Sequence, residues 1–387
     1  MTLQSKNMPE SNMSRPSIRI IGAGLSGLTL GQCLRRSNIP AVIYERVKAN
    51  PTRNNYGITL YKSTYMPLID TLQITEDDFR RQVGVQHPDS GTIVSDNERL
   101  RVNRAALTNL LEGNLDIRYE HKLANIHFKG TSRCAAFLTD AEDGVEEYNL
   151  LIGADGVHSA VRSMLNLPKR MFDLEVLPYI VFNGKRRMAY SNVPTGLLDC
   201  FSDPDGIRHT QNGVVLSIKA DFWKPENQTV AVSYTLSRPA TSEADRSLLR
   251  RNISDAESLA KRFIDEVASL GQLPAPFNKI FNPDTMSEDR LLHWLMRSSL
   301  IDKTAIKDIT LNTILLGDAA HAQPIPGNGA NLAIDDALEL AKHISATGTV
   351  DIDAFLRARR PVWVDGKREN ERLLADLHST GESQARI

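Results

Sequence analysis

The sequence predicts an α/β fold, with a Rossmann-like nucleotide-binding domain around a three-layer sheet and a smaller domain of mixed sheet. Three observations predict it. A glycine-rich turn, Gly22-Ala-Gly24-Leu-Ser-Gly27, sits inside a β-α-β pattern near the N-terminus. Two apolar runs far downstream end abruptly in Gly153-Ala-Asp155 and Gly317-Asp318. Between them the pattern changes to strands punctuated by prolines. A chain of 387 residues also outgrows one hydrophobic core, since single cores stop growing at about 250–300 residues.

Ile18 to Ile21 reads as a strand, Leu25 to Arg36 as a helix and Ala41 to Tyr44 as a second strand, because short apolar runs flank a longer stretch of helical periodicity. Short β runs follow at Ile117 to Phe128, Ala135 to Thr139 and Tyr148 to Ile152, with Ala141-Glu-Asp-Gly144 as a hairpin turn. They read as a meander feeding back into the sheet. From Met171 to about Trp294 come strand-like pieces at Tyr179 to Phe182, Gly213 to Ala220 and Val230 to Leu236, and a helix near Ala256 to Leu270. Thr313 to Leu316 reads as a buried strand, Asn331 to Ile344 as a helix, and Asp353 to Leu374 as helix interrupted at Pro361. The division expected is a disordered tail over 1–16, a nucleotide-binding domain from 17–72, 97–170 and 297–387 with the C-terminal helices, and a substrate domain from 73–96 and 171–296.

Composition excludes several classes. A net charge of −1 offers no basic excess for nucleic acid or for an anionic membrane surface. The three cysteines, Cys33, Cys134 and Cys200, lack C-x-x-C spacing, so neither a metal site nor a disulfide framework is indicated. The first 16 residues lack an apolar signal region, and the apolar run Ile18 to Leu34 is broken by glycines and falls short of a span. A cytoplasmic protein without stable membrane insertion is expected. No internal repeat appears.

The chemistry-bearing residues lie at the predicted strand ends. Gly22 would allow the tight turn, Gly24 the approach of backbone to a pyrophosphate, and Gly27 the packing of helix on strand, with the helix N-terminus facing the anion. Glu45 ends the second strand about 20 residues later, where an acid binds a ribose hydroxyl. Gly153-Ala-Asp155-Gly156-Val-His158-Ser159-Ala-Val161-Arg162 places a carboxylate at a turn and an arginine on the next helix. Gly317-Asp318-Ala-Ala-His321, then Pro324, Pro326, Gly327, Gly329, Ala330 and Asn331, forms a rigid loop before a helix, with backbone N–H groups suited to an electron-rich acceptor. Asp318 would accept from a sugar or ribityl hydroxyl. His321 reads as structural, since no carboxylate or nucleophile lies at a telling spacing.

Together these three stretches, in this order, resemble the fingerprints of the single-component FAD-dependent aromatic hydroxylases of the para-hydroxybenzoate hydroxylase type. The resemblance extends to Glu45-Arg46, to Arg104-Ala-Ala-Leu107 before a helix, and to Arg357 through Pro361; it covers Met171 to Trp294 poorly. It implies that the first fingerprint holds the ADP part of FAD, that Glu45 binds the adenosine ribose, that Arg104 reaches the flavin side, and that Asp318 holds the ribityl chain. It places Gly327 to Asn331 along the isoalloxazine edge and gives Asp155 to Arg162 roles toward FAD and NAD(P)H. The segment Asn54-Asn-Tyr-Gly57-Ile-Thr departs from the glycine- and alanine-rich stretch usual there, which puts flavin mobility in question.

The implied reaction uses NADPH or NADH and O2 to insert one oxygen atom into a small organic substrate, aromatic or polycyclic and of the secondary-metabolite kind, through a flavin C4a-hydroperoxide. Epoxidation or oxidative rearrangement on the same fold, or a non-catalytic nucleotide sensor, are the alternatives. A disulfide reductase would need a cysteine pair and a second glycine fingerprint, and a flavin halogenase a W-x-W-x-I-P signature; Trp223, Trp294 and Trp363 do not supply it. On the substrate side, strand alternation puts Tyr179, Val181, Asn183 and Lys185 on one face and Ile180 and Phe182 on the other. Tyr179 and Asn183 are the candidates for contact with substrate.

Overall fold

The computed structural model describes residues 17–50, 54–140, 144–165, 168, 171, 174–250, 256–302, 307–308, 311–324, 328–344 and 349–379. The chain begins with β1 (Ile18–Ile21), α1 (Leu25–Arg36), β2 (Ala41–Tyr44), β3 (Gly57–Tyr61), α2 (Lys62–Leu72) and α3 (Glu76–Val83). It continues through β4 (Arg99–Asn103), α4 (Arg104–Glu112), β5 (Asp116–Arg118), β6 (Lys122–Lys129), β7 (Ser132–Leu138), β8 (Gly144–Tyr148), β9 (Leu150–Gly153) and α5 (Ala160–Met164). The middle third holds β10 (Leu174–Ala189), β11 (Ile207–Gln211), β12 (Val214–Lys224), β13 (Thr229–Pro239), α6 (Glu243–Arg250), α7 (Ala256–Ser269), α8 (Phe277–Ile280), α9 (Pro283–Met286) and β14 (Arg290–Ser299). Last come β15 (Lys307–Asp308), β16 (Thr313–Leu315), α10 (Gly329–Lys342) and α11 (Ile352–Ser379).

The first sheet runs in the order β15-β16-β9-β1-β2-β5, parallel except for the β15 edge. Ile18, Ile20, Leu150, Ile152 and Ile314 are fully buried in it, as expected for strands covered on both faces. Because β1, β9 and β16 are adjacent and parallel, their C-terminal ends deliver Gly22, Asp155 and Gly317 to one edge. That edge is where open α/β sheets bind ligands.

The meander is present as an antiparallel sheet of β6, β7 and β8, and β9 returns to the parallel sheet between β1 and β16. Part of the hairpin turn expected at 141–144 lies outside the described residues. The single run expected from Ile117 to Phe128 is corrected: it is two strands in two sheets. Glu120 takes a left-handed φ of 59°, and the His121 N–H is spent on the Glu45 carbonyl, so β5 stays with β2 while β6 turns away. The interruption expected at Pro361 is also corrected, because α11 runs through it. Phe355 and Trp363, on either side of the proline, are both fully buried, and this packing outweighs the hydrogen bond that a proline removes.

The middle region forms a five-stranded antiparallel sheet, β11-β12-β13-β10-β14. Alternation along β10 is as the pattern requires. Ile180 and Phe182 enter a core with Tyr234, Leu236 and Phe263, where the Phe182 and Phe263 rings stack at 4.9 Å. Tyr179 and Val181 lie on the other face with Trp294, Met296 and Leu374. β14 escaped the sequence reading because Arg290-Leu-Leu-His-Trp-Leu-Met has no clean period of two.

Candidate flavin and substrate site

The glycine turn is built by steric necessity at two of its three glycines. Gly22 has φ +107°, and a Cβ there would stand 2.5 Å from the Ala154 carbonyl oxygen; a Cβ on Gly27 would stand 2.1 Å from that of Gly22. Gly24 differs. A Cβ there meets nothing nearer than 3.9 Å, so the protein itself does not demand glycine, and the missing side chain leaves open space before α1. Glu45 reaches this turn, accepting the Ala23 N–H at 3.0 Å and the Val47 N–H at 3.2 Å. Arg46 beside it is exposed.

The second stretch is a cap and a staple. One Asp155 oxygen accepts the Ser159 hydroxyl at 2.5 Å, and the other accepts the Ala160 N–H at 2.6 Å and the Val161 N–H at 3.2 Å, so its carboxylate closes the first turn of α5. Burial raises its pKa. Arg162 donates to the carbonyls of Val157 and Ala319, each at 2.7 Å. Its guanidinium is buried, and burial pushes its pKa down to about 10.

In the third stretch, Gly317 has φ +59°, and a Cβ there would lie 2.9 Å from Ser26 Oγ, so the first and third glycine turns touch. Asp318 is open to solvent yet ringed by protein, and this desolvation raises its carboxyl pKa against the opposing pull of His321 and Arg104. Gly329 keeps the space beside it clear, its would-be Cβ 3.9 Å from Asp318 Oδ1. Gly327 lies outside the described residues. Ala330 stands in the first turn of α10, whose N-cap Asn328 makes no side-chain cap and leaves a buried Oδ1 without a hydrogen-bond partner among the described residues. The Asn331 side chain is turned elsewhere: it accepts the Tyr61 N–H at 2.8 Å and donates to the Thr59 carbonyl at 3.1 Å, bracing β3 against α10.

His321, which the sequence spacing left without a carboxylate, has one in the fold. It binds the fully buried Asp336 and stacks on Trp363 at 4.6 Å, while Asp336 also accepts from Arg359 at 2.7 Å and from the Trp363 indole at 2.8 Å. Burial opposes ionisation of Asp336, but His321 and these donors hold its pKa below the usual range.

A cleft of about 1540 Å³ runs from Asn54–Tyr56 along the outer face of β10 and β14 to Asp318 and Pro324. Arg104, at the start of α4, hydrogen-bonds to the Tyr56 hydroxyl and lies 5.4 Å from the ring centre, while Lys185 Nζ lies 4.0 Å from it. The cleft brings Lys185, Asp221, Trp294 and Gln323 together. Strand alternation placed Lys185 on this face without giving it a role, and Asp221, Trp294 and Gln323 were not among the candidates, although a lone Asp221 within an apolar strand was a visible clue. Asn183 lies on this side of the sheet, fully buried; its amide donates to the Tyr234 carbonyl at 3.3 Å and Thr235 Oγ1 at 3.1 Å, and its Oδ1 has no partner among the described residues. Neither of the two substrate-contact candidates, Asn183 and Tyr179, is among the residues that line the cleft. The Tyr179 ring packs 5.0 Å from His378 of α11, which covers that end of the face.

A parallel sheet whose glycine turns converge on one edge, with a second, antiparallel sheet facing them across a cleft, defines an α/β class of the doubly wound, nucleotide-binding kind with an appended antiparallel sheet. No family model matches the chain. It is similar to the FAD-dependent monooxygenase vrtH of Penicillium aethiopicum, 28% identical over 378 residues, spanning 86% of this chain and 85% of that protein. Among solved structures it is similar to 2,6-dihydroxypyridine-3-hydroxylase from Arthrobacter nicotinovorans, with a TM-score of 0.69 at 17% identity over 96% of this chain and 95% of that one. It is also similar to Klebsiella pneumoniae HpxO in complex with FAD and uric acid, with a TM-score of 0.65 at 17% identity over 95% and 90% of the two chains. The resemblance to single-component FAD-dependent monooxygenases thus extends over nearly the whole chain, and the fold is theirs.

Proposed function

We propose that this chain is an FAD-dependent monooxygenase that uses NADH or NADPH and O2 to insert one oxygen atom into a small aromatic or polycyclic substrate. Bound FAD supplies the redox and oxygen-activating chemistry. The observation that carries the reading is the cleft itself, which joins Asp318 and Pro324 of the third fingerprint to Lys185, Leu292 and Trp294 of the antiparallel sheet. Its volume of about 1540 Å³ exceeds the roughly 300–1,000 Å³ of a pocket for one ligand. A flavin ring and a substrate fit together there.

The residues present suit the cofactor. The open space at Gly24 and the N-terminus of α1 would receive the pyrophosphate, with Glu45 toward the ribose. Asp318 would hold the ribityl chain, and the first turn of α10, from Gly329 to Asn331, would present backbone N–H groups to the ring. Asp155 and Arg162 hold these turns in place. Phe222, Leu292 and Trp294 give the substrate side an apolar surface beside its polar and charged lining residues. In this reading the parallel sheet with its C-terminal helices is the FAD-binding domain and the antiparallel sheet the substrate domain.

The test is a substrate screen under labelled dioxygen. A substrate should accelerate NAD(P)H consumption, and its product should carry one labelled oxygen atom. Consumption that yields only hydrogen peroxide across a broad aromatic panel, or product labelled from water, would reject the assignment.

A further inference from the structure

A second cavity, of about 320 Å³, lies behind the wall of the first. Asn55 and Phe222 line both, so a single layer of side chains separates the two. Its floor is apolar: Val83, Val85, Ala105 and Phe222 are all buried. Small residues give it depth, because Gly84, Ala105 and Ala106 put nothing larger than a methyl group into it. Half-buried Gln86, Trp223 and Lys224 make its sides, while exposed Arg81, Gln82 and Asn109 mark its mouth. No carboxylate lines it among the described residues. Several of its polar groups are uncommitted. The Gln86 amide, the Trp223 indole N–H and the Lys224 ammonium have no hydrogen-bond or ion-pair partner among the described residues. Asn55 is held at one end only: Asn103, the N-cap of α4, accepts the Ala106 N–H at 3.0 Å and donates to Asn55 Oδ1 at 2.7 Å. The Asn55 Nδ2 hydrogens remain to be offered.

The chemistry that suits this cavity is a flat, uncharged ring bearing a carboxamide, with an anion a short distance away. We propose that it docks the nicotinamide mononucleotide half of NADH or NADPH. The ring would lie on the apolar floor beside Trp223, its carboxamide would meet Asn55 and Gln86, and its phosphate Lys224. Three further observations favour this half. The chain has no second G-x-G-x-x-G turn to hold a dinucleotide, and Asp155 and Arg162 spend their hydrogen bonds on protein. The volume of about 320 Å³ sits at the low end of the roughly 300–1,000 Å³ of ligand pockets, so the adenylate stays outside. The shared wall of Asn55 and Phe222 sets a bound nicotinamide beside the cleft proposed for the flavin ring. The idea rests on the monooxygenase reading, and its test separates the two because it reads binding without turnover.

The probes are tetrahydronicotinamide mononucleotide, an isostere of the reduced form that cannot give up hydride, the same molecule without its phosphate, and AMP, each dialysed against the FAD-loaded protein. The mononucleotide should bind about tenfold more tightly than AMP and should displace no FAD. Gln86→Leu, which removes the free amide, and Ala106→Leu, which puts a larger side chain into the cavity, should each weaken it about tenfold. Lys224→Met should weaken the mononucleotide but not the riboside, and added salt should shrink that difference. In anaerobic mixing, the NADH or NADPH concentration that half-saturates bleaching of the flavin should rise by the same factors at an unchanged limiting rate, with FAD content matched in all the proteins. No binding of the mononucleotide, AMP bound as tightly, release of FAD by the mononucleotide, or binding undiminished in both Gln86→Leu and Ala106→Leu overturns the proposal. Protein that binds the mononucleotide in the manner predicted, yet whose flavin neither NADH nor NADPH bleaches, would instead sink the monooxygenase reading.

Discussion

The buried guanidinium of Arg162 donates to the carbonyl of Ala319 at 2.7 Å, tying the turn after β9 to the turn after β16 across 157 residues of sequence. Arg162 also holds the Val157 carbonyl, so one side chain sets the spacing of two of the three glycine-bearing turns. Replacing it leaves buried carbonyls without a donor, at a cost of about 1.5–3 kcal/mol. Arg162→Met is therefore expected to lower the urea midpoint and to loosen FAD. A midpoint and an FAD affinity both equal to wild type would show that the turns hold their places unaided.

The glycines of the first turn should separate by role. Gly22→Ala places a Cβ against the Ala154 carbonyl at a backbone conformation that disfavours side chains, so it should lower thermal stability with or without FAD. Gly24→Ala has room in the protein and should leave the apoprotein's melting temperature within experimental error. It should still weaken FAD, because the methyl enters the space the pyrophosphate needs. An equal loss of apoprotein stability in both variants would refute this division.

Asp318 offers a trade between binding and stability. Desolvation raises its pKa, so the folded chain bears a cost for its charge at neutral pH, while a flavin hydroxyl would gain a charge-assisted partner. Asp318→Ala should weaken FAD roughly ten- to hundredfold, about 1.5–3 kcal/mol, and leave the apoprotein no less stable. Unchanged FAD affinity on equilibrium dialysis would place the ribityl chain elsewhere.

Asp335 on α10 gives a pH dependence of defined sign. Burial pushes its carboxyl up to about 6, above the roughly 3.9 of an unfolded chain. The folded state therefore favours the protonated form, and stability falls as pH rises from about 4 to about 6, the penalty remaining in full above that. Asp335→Asn, which can keep a hydrogen bond to Thr64, should be about 1–3 kcal/mol more stable than wild type at pH 7.5 and equal to it at pH 4. Urea titrations at both values check this; a variant less stable at pH 7.5 would reverse the sign.

Much of the nucleotide half was legible because its constraints are local. A strand, a glycine turn and a helix announce themselves within 30 residues, and β1, α1 and β2 lie where the pattern placed them. Gly22, Gly24 and Glu45 meet at the turn for the same reason. The roles of Asp155 and Asn331 were not legible, because a motif marks a position without saying which atoms its side chain will meet: one caps α5, the other braces β3. Tyr179 shows the limit of alternation, which assigns a face but not what covers it; α11, about 200 residues away in the chain, covers that end with His378. Alternation put Lys185 on its face, but its pairing with Arg290 was not legible, because the two become neighbours only through the β10–β14 register.

Cofactor stoichiometry in the purified chain decides whether these turns form a flavin site. After saturation with FAD and removal of the excess, wild type should retain close to one FAD per chain, released intact on denaturation and identified by mass, and Gly24→Val of unchanged fold should retain almost none. A correctly folded wild-type protein that binds no FAD, or a Gly24→Val protein as fully loaded as wild type, would mean that the three turns serve some other ligand.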